Sequence, residues 1–251
     1  SDDNTPVLSD ISIDIPAGKS VALVGPSGGG KTTICSLLPR FYDVTEGRIT
    51  VDGKDIRSLT LKSLRNNIGT VQQDVYLFDG TIRDNIAYGK PGASDEEIIA
   101  AAKRASIHDF IMELPDGYDT FVGERGTRLS GGQKQRISLA RAILKDPSII
   151  ILDDTTSAID METESMIQNE LKKISDERTV FIIAHRISSI IHADQILVLD
   201  DGKIVGKGTH EELLKNCEVY LQIAKSQLSE KELGLEKLGL AEEKAEKETN
   251  K

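Results

Sequence analysis

The stretch from residue 25 to residue 33 has the residue types and spacing of a phosphate-binding loop, G-x-x-x-x-G-K-S/T. An apolar run, 20–24, precedes it and a helical pattern, 32–38, follows it. Backbone N–H groups and a helix N-terminus would therefore converge on one anion. Lys31 would reach the β and γ phosphates, and the Thr32 hydroxyl would ligate Mg²⁺. The residues expected to contact the phosphates are Gly25, Pro26, Ser27, Gly28, Gly29, Gly30, Lys31, Thr32 and Thr33.

Two carboxylates directly follow another apolar run. Residues 149–152 are all apolar, and Asp153 and Asp154 come next. In open α/β sheets, ligands lie beyond the carboxyl ends of the strands. Asp153 could hold the Mg²⁺ that Thr32 also contacts, and Asp154 could orient or deprotonate a water molecule. The alternative is a solvated strand end that binds no ligand.

His185 directly follows the apolar run 180–184, so it too would lie at the carboxyl end of a strand. There its imidazole could donate a hydrogen bond to a γ-phosphate. A single histidine more often has a structural role, and position alone leaves both interpretations open.

Ser130, Gly131, Gly132 and Gln133 stand at the start of a helical pattern. Ser130 and Gln133 have the spacing of a capping box, which would complete the helix end without any ligand. However, each glycine in a first helical turn costs about 1 kcal/mol relative to alanine. Because glycines leave backbone N–H groups accessible, this helix start also favours an anion. The chain thus has a second helix N-terminus suited to phosphate.

The elements that must position these residues indicate an α/β fold built on a phosphate-loop NTPase (RecA-like) core. The short apolar runs are typical of parallel strands that are buried on both faces. Residues 7–15 alternate apolar and polar side chains, as in a half-exposed strand. The Asp52-Gly53 pair predicts a hairpin between 48–51 and 54–56. Together these two features predict an antiparallel β subdomain beside the parallel core.

Two further divisions of the chain follow from pattern and composition. Residues 84–145 are mainly helical, with a capping box at Ser94, and predict an inserted α-helical subdomain. Another capping box at Thr209 predicts a helix that continues to about residue 225. Residues 226–251 are rich in Glu and Lys and lack an apolar face, so we expect a folded domain over 1–225 and a disordered tail.

The composition of the chain excludes some classes of function. The net charge of −10 argues against a nucleic-acid groove as the main surface, and 38% hydrophobic residues suffice for a core. No apolar run approaches the ~18 residues of a membrane span, and we expect no signal peptide. Cys35 and Cys217 have neither metal-ligand nor disulfide spacing, so we expect reduced thiols, with Cys35 packed in the first helix.

With these residues in view, the chain over about residues 7–225 resembles the nucleotide-binding domain of an ATP-binding cassette (ABC) transporter. The matching segments stand in the family's order: Walker A at 25–33, the Q-loop glutamine at Gln73, the signature at 129–133, Walker B at 149–153, the D-loop at 157–160 and the switch histidine at His185. Residues 78–82 and 123–126 are similar to segments of exporter-type cassettes, the second to their X-loop. The resemblance therefore favours a multidrug or lipid exporter over an importer.

The resemblance implies an ATP hydrolase that uses Mg²⁺ and works as a head-to-tail dimer closed over two ATP molecules. Walker A of one copy would face the signature of the other, and Asp160 would lie at the same interface. It implies catalytic roles for Asp154, His185 and Gln73, with Gln73 also ligating Mg²⁺ and passing a signal to the transmembrane domains of an exporter. Those domains are absent from this chain, which we interpret as an excised cassette from the cytoplasmic face of a membrane.

Two residues depart from the family's pattern. The family usually has Glu where this chain has Asp154, and one methylene fewer withdraws the carboxylate by about 1.5 Å. Such a change resembles one subunit of a heterodimeric exporter, which predicts slow hydrolysis at this chain's own site and favours a heterodimer over a homodimer. The intact His185 fits that interpretation less well. The family also stacks adenine on an aromatic upstream of Walker A, but no aromatic precedes Phe41 here, so weak nucleotide affinity is expected.

Other functions remain as alternatives. An ABC ATPase of DNA maintenance would need a long coiled coil between Lys31 and Asp153, where there is no room for one. A translation-type ABC ATPase usually has two cassettes and fits the acidic balance poorly. A non-hydrolysing module that dimerises around ATP is supported by Asp154.

Overall fold

The computed structural model describes residues 6–72, 74–153 and 178–228. The strands in these ranges are β1 (Ser20–Val24), β2 (Thr50–Val51), β3 (Lys54–Asp55), β4 (Ile68–Val71), β5 (Ile149–Asp153), β6 (Thr179–Ile183), β7 (Gln195–Asp200) and β8 (Lys203–Gly208). The α-helices are α1 (Lys31–Leu37), α2 (Leu61–Asn66), α3 (Ile82–Ala87), α4 (Asp95–Arg104), α5 (His108–Glu113), α6 (Gly131–Lys145), α7 (His210–Asn216) and α8 (Glu218–Gln227). Among these helices, none combines the length and the apolar character that crossing a membrane requires.

Six of the strands form one sheet in the order β4-β5-β6-β1-β7-β8. All neighbouring pairs are parallel except β7 and β8, which are antiparallel. The five parallel strands therefore end at the same edge of the sheet. Because helices cover both faces, these strands are almost wholly apolar, which is why their sequences are readable as buried strands.

Alternate residues of β1 pack into different cores. Val21 and Leu23 belong to a cluster that includes side chains of α1 and α2. Ala22 and Val24 belong to another cluster, formed with α7 and α8. Strand side chains point to opposite faces in turn, so one short strand joins both layers of helices. The phosphate loop that follows β1 is thus anchored at the centre of the fold.

The predicted N-terminal strand does not form in the described residues. The side chains of 11–15 alternate between half-buried and exposed as expected, and Ile11, Ile13 and Ile15 pack against the cluster that holds α1. The backbone of these residues nevertheless has no strand assignment. Alternation fixes which side chains face the core, but a strand also needs a neighbour for its backbone hydrogen bonds. The prediction of a strand over 7–15 is therefore wrong for this structure.

The predicted hairpin forms at the Asp52-Gly53 pair. Strands β2 and β3 pair antiparallel, with Val51 opposite Lys54. Asp52 and Gly53 both have positive φ, 50° and 75°. Two positive φ values match a type I′ turn, whose twist suits a two-residue hairpin. Each strand has only two residues, shorter than expected.

Helices α3 to α6 form a lobe with its own apolar cluster. Ile86, Ile111 and Ile137 are fully buried in it, and Ile150 of β5 joins the lobe to the sheet. The capping box predicted at Ser94 is present, since its hydroxyl accepts from the Glu97 N–H and the Glu97 carboxylate accepts from the Ser94 N–H. The lobe begins with α3 at residue 82 and ends with α6 at residue 145, close to the predicted 84–145.

The helix predicted from Thr209 to about 225 is divided into α7 and α8. The capping box at Thr209 is present, but Cys217 between the helices has an extended backbone, with φ −129° and ψ 104°. Its buried thiol packs so closely on β8 that a Cβ at Gly206 would lie 2.7 Å from the Cys217 sulfur. The break between α7 and α8 therefore falls at a residue whose side chain packs on the sheet. Helix α8 ends at Gln227, two residues beyond the expected boundary, and 229–251 lie outside the described residues.

Asn85 of α3 and Arg141 of α6 hold the segment that leads from the sheet into the helical lobe. The Asn85 side chain is fully buried; its Oδ1 accepts from the Phe78 N–H at 2.8 Å and its Nδ2 donates to the Phe78 carbonyl at 2.9 Å. Arg141 donates to Asn85 Oδ1 at 2.9 Å and to the Tyr76 carbonyl at 3.2 Å. Burial lowers the pKa of Arg141. Two helices of the lobe, α3 and α6, therefore hold residues 76–78.

Replacing Asn85 with alanine should lower the free energy of unfolding by about 2–3 kcal/mol, because partly buried backbone groups of Phe78 would lose their partners. Chemical denaturation measures this loss. Asn66→Ala is the matched control, since Asn66 is exposed at the end of α2 and the change should stay within about 0.5 kcal/mol. Equal losses in the two variants would contradict a structural role for Asn85.

Candidate nucleotide-binding site

The loop of residues 25–30 joins β1 directly to α1. Val24 is buried at the end of β1, and α1 begins at Lys31. Gly25 passes so close to β7 that a Cβ there would lie 1.9 Å from the Leu199 carbonyl oxygen. Gly28 has a φ of +83° and borders open space, because a Cβ there would meet no atom within 4 Å. The loop is therefore packed against the sheet at its start and open at its middle, as a phosphate cradle requires.

Lys31 is buried within this loop. Only 5% of the residue is exposed, and its Nζ donates to the carbonyl oxygens of Gly25 and Pro26, each at 2.8 Å. An ammonium group has three N–H donors, so these two bonds leave one for a phosphate oxygen. Burial lowers the pKa of Lys31, and the Asp153 carboxylate acts in the opposite direction. The charge is thus held in place before any ligand binds.

Thr32 and Asp153, the expected Mg²⁺ ligands, lie on elements that pack together. Thr32 is exposed in the first turn of α1, and Asp153 is half-buried at the end of β5, against which α1 packs. The Asp153 charge opposes the burial that lowers the pKa of Lys31 and adds to the burial that raises the pKa of Cys35, as expected for a carboxylate near the start of α1. A hydroxyl and a carboxylate are donors that Mg²⁺ accepts, and the ion would neutralise charge on neighbouring phosphates. These residues fit a magnesium nucleotide.

His185 lies at the same edge of the sheet. It is exposed two residues beyond Ile183 of β6, and β6 lies between β5 and β1. Ile183 is level with Leu23 of β1 and with Asp153 of β5. Neighbouring strands are about 4.8 Å apart, so the strand ends that carry Asp153, His185 and the phosphate loop are adjacent. The sheet brings together these three parts of the predicted site.

The second phosphate-suited helix start lies elsewhere. Ser130 Oγ accepts from the Gln133 N–H at 3.3 Å, and Gln133 Oε1 accepts from the Ser130 N–H at 2.8 Å, so the predicted capping box is present. Gly131 is exposed and Gly132 is buried. These four residues open α6 in the helical lobe, and among the described residues no hydrogen bond joins them to the phosphate loop. The described contacts of one chain therefore do not join the two helix starts directly.

Three predicted site residues, Gln73, Asp154 and Asp160, lie outside the described residues. Their roles stay predictions from the sequence.

The fold also brings together three aromatic residues, of which only Phe78 belongs to a segment noted from the sequence, 78–82. Tyr76, Phe78 and Tyr88 form a cluster of exposed rings, with ring centroids 5.4 Å apart for the first pair and 4.3 Å for the second. Arg141 lies over the Phe78 and Tyr88 rings. Tyr76 and Tyr88 carry no signal of this cluster in the sequence, because only the fold brings the three rings together.

A glycine-rich loop between β1 and α1, with a carboxylate at the end of β5, the parallel strand next but one to β1, defines a phosphate-loop nucleotide-binding protein. Residues 8–157 match the family described as ABC transporter. The chain belongs to the ABC transporter family, which confirms the predicted family and the α/β phosphate-loop fold.

Relatives and one solved structure cover most of this chain. It is 57% identical over 212 residues to a Bacillus subtilis (strain 168) protein named as a multidrug export ATP-binding/permease protein, covering 84% of this chain and 37% of that one. A Staphylococcus aureus (strain NCTC 8325 / PS 47) protein of the same description is 55% identical over 220 residues, covering 88% and 38%. The structure of a bacterial Atm1-family ABC exporter with ATP bound matches with a TM-score of 0.86 and 50% identity, covering 88% and 39%. This chain thus spans less than two fifths of each.

Proposed function

We propose that this chain is the ATP-binding cassette of an ABC exporter, that it pairs with a second cassette around ATP and Mg²⁺, and that hydrolysis at its own Walker site is slow. The observation that carries the pairing is the separation of two phosphate-suited helix starts, one at Lys31 and one at Ser130. A phosphate bound at the Lys31 helix start of one molecule would therefore be contacted by the Ser130 helix start of a second molecule. A heterodimer is favoured because Asp154 replaces the usual glutamate.

The exporter context is supported by three observations. Relatives that contain a segment like this one are named as export ATP-binding/permease proteins. The exposed rings of Tyr76, Phe78 and Tyr88 form a surface on which transmembrane domains would dock, because exposed aromatic clusters are typical of interfaces. The net charge of −10 disfavours nucleic acid as partner. The chain would then work at the cytoplasmic face of a membrane.

Within the site, each residue has one proposed task. Lys31 and the loop amides of 25–33 would hold the β and γ phosphates, and Thr32, Asp153 and Gln73 would ligate Mg²⁺. Asp154 would orient the attacking water, and His185 would donate to the γ-phosphate. From the second cassette, the residues equivalent to 130–133 and to Asp160 would close the site.

A double-cysteine variant, Ser27→Cys with Arg128→Cys, should form a cross-linked dimer in the presence of MgATP, either alone or mixed with a glutamate-bearing cassette that has matched cysteines, and none without nucleotide. Both positions are exposed and stand beside the two helix starts, whereas the native Cys35 and Cys217 are buried. Non-reducing electrophoresis detects the product, and each single variant is a control.

Cross-linking that appears only after a glutamate-bearing cassette with matched cysteines is added would indicate the heterodimer. Cross-linking in neither mixture would contradict the proposal.

A further inference from the structure

The backbone beside His185 is held by a side chain from the last described helix. Gln227, at the end of α8, donates from Nε2 to the His185 carbonyl oxygen at 2.8 Å. Its Oε1 accepts from the Ile187 N–H, also at 2.8 Å. One amide group thus binds both ends of a three-residue segment through a donor and an acceptor.

We infer that Gln227 is a positioning residue for His185. This inference rests on the proposed function, in which the His185 imidazole contacts a γ-phosphate. Because the imidazole is exposed, burial does not fix it, and its direction follows from the peptide groups on either side. The Gln227 amide holds the carbonyl group of His185 and the N–H group of Ile187. The orientation of His185 is thereby set from α8.

Apolar packing fixes both the segment 185–187 and the helix that carries Gln227. The Ile187 side chain is fully buried in the cluster that also contains Tyr220 and Ala224 of α8. The helix is therefore fixed to the segment by apolar packing, and Gln227 adds the polar contacts at its tip. The amide supplies a donor and an acceptor side by side, whereas an ionised Glu has no donor and Leu has neither, so neither residue could replace both bonds.

The contribution is local, because Gln227 as a residue is exposed. Exposed hydrogen bonds affect the order of a segment more than the stability of the whole domain. A loss of Gln227 should therefore change the His185 segment while the melting temperature stays nearly constant. A changed His185 segment with an unchanged melting temperature would show that Gln227 positions this segment and does not stabilise the domain as a whole.

The test compares Gln227→Ala with Gln222→Ala in the full chain. Gln222 is an exposed glutamine on the same helix, and its side chain bonds only to Glu218 within that helix among the described contacts. In Gln227→Ala, NMR should show faster exchange of the Ile187 amide and shifted imidazole signals of His185. The kcat for ATP should fall about tenfold, with KM changed by less than about twofold, because a small misplacement of a reacting group acts on the chemical step. Gln222→Ala should match the wild type.

The same substitution in a His185→Ala background separates the two proposals. If Gln227 acts through His185, it should lower kcat no further there. A further loss, or unchanged exchange at Ile187, would overturn the inference. If His185→Ala itself leaves kcat unchanged, the proposed role of His185 fails, and the imidazole signals then decide for Gln227: shifted signals support the positioning, unshifted signals reject it.

Discussion

Replacing Lys31 with alanine should lower ATP hydrolysis by about a hundred- to a thousandfold, the usual effect of removing a preorganised charged donor from a site. The ammonium group is buried and is oriented by two carbonyl oxygens of its own loop, so it reaches the ligand without reorganisation. The truncated side chain would leave the phosphates facing amides alone. Nucleotide affinity should fall as well.

Steady-state phosphate release and calorimetric titration with MgATP measure these two losses. Lys62→Ala is a matched control, because Lys62 is exposed on α2 and should leave both values unchanged. Thermal unfolding of the Lys31 variant shows whether the carbonyls of Gly25 and Pro26 needed the amine for folding. Normal folding with undiminished hydrolysis would remove Lys31 from the proposed site.

Changing Asp154 to glutamate should raise steady-state phosphate release by about ten- to a hundredfold, since a misplacement near 1 Å can cost about a hundredfold in rate. The added methylene would advance the carboxylate by about 1.5 Å toward the expected water. Asp153 ends β5 at the sheet edge that carries the phosphate loop, and Asp154 is the next residue in the sequence. The substitution Asp154→Glu therefore changes the residue that is expected to orient the attacking water.

The neighbouring substitution Asp153→Glu provides a comparison with the same added methylene. Asp153 is the proposed Mg²⁺ ligand, and lengthening it should lower the rate rather than raise it. Opposite signs at adjacent positions would assign the two roles. Equal rates for the wild type and Asp154→Glu would refute a handicap at this position.

The Asp154 result also decides between hydrolase and ATP-gated module. A chain that cross-links with ATP but gains no turnover from Asp154→Glu would be a dimerisation module rather than a slow enzyme. Turnover that appears only when a glutamate-bearing partner is added would assign this chain the supporting half of a heterodimer.

Local signals in the sequence predicted local structure well. The capping boxes at Ser94, Ser130 and Thr209 and the turn at Asp52-Gly53 all formed, because each depends on residues three or fewer positions apart. The parallel strands were also readable, since burial on both faces leaves a continuous apolar run. The predicted strand over 7–15 failed because its outcome depends on a partner strand, which periodicity does not specify.

The candidate site shows the same division. The sequence placed the phosphate loop, Asp153 and His185 at strand ends, and the strand order then made those ends adjacent. The contacts of Arg141 with Asn85 and of Gln227 with His185 join residues 56 and 42 positions apart. No pattern within one element could indicate these contacts, because neither Arg141 nor Gln227 belongs to a motif. Support of the site by distant side chains becomes visible only in the folded chain.

The different surroundings of Gly25 and Gly28 determine what a glycine variant can teach about this loop. Any side chain at position 25 would collide with the backbone of β7. Loss of activity in such a variant would therefore reflect a disturbed sheet and would give no information about ATP binding. At position 28 there is empty space, and a side chain would intrude only on whatever enters the cradle, apart from the strain of its positive φ. In a mutational scan of this loop, substitutions at residue 28 should therefore test ligand binding, and substitutions at residue 25 should test folding.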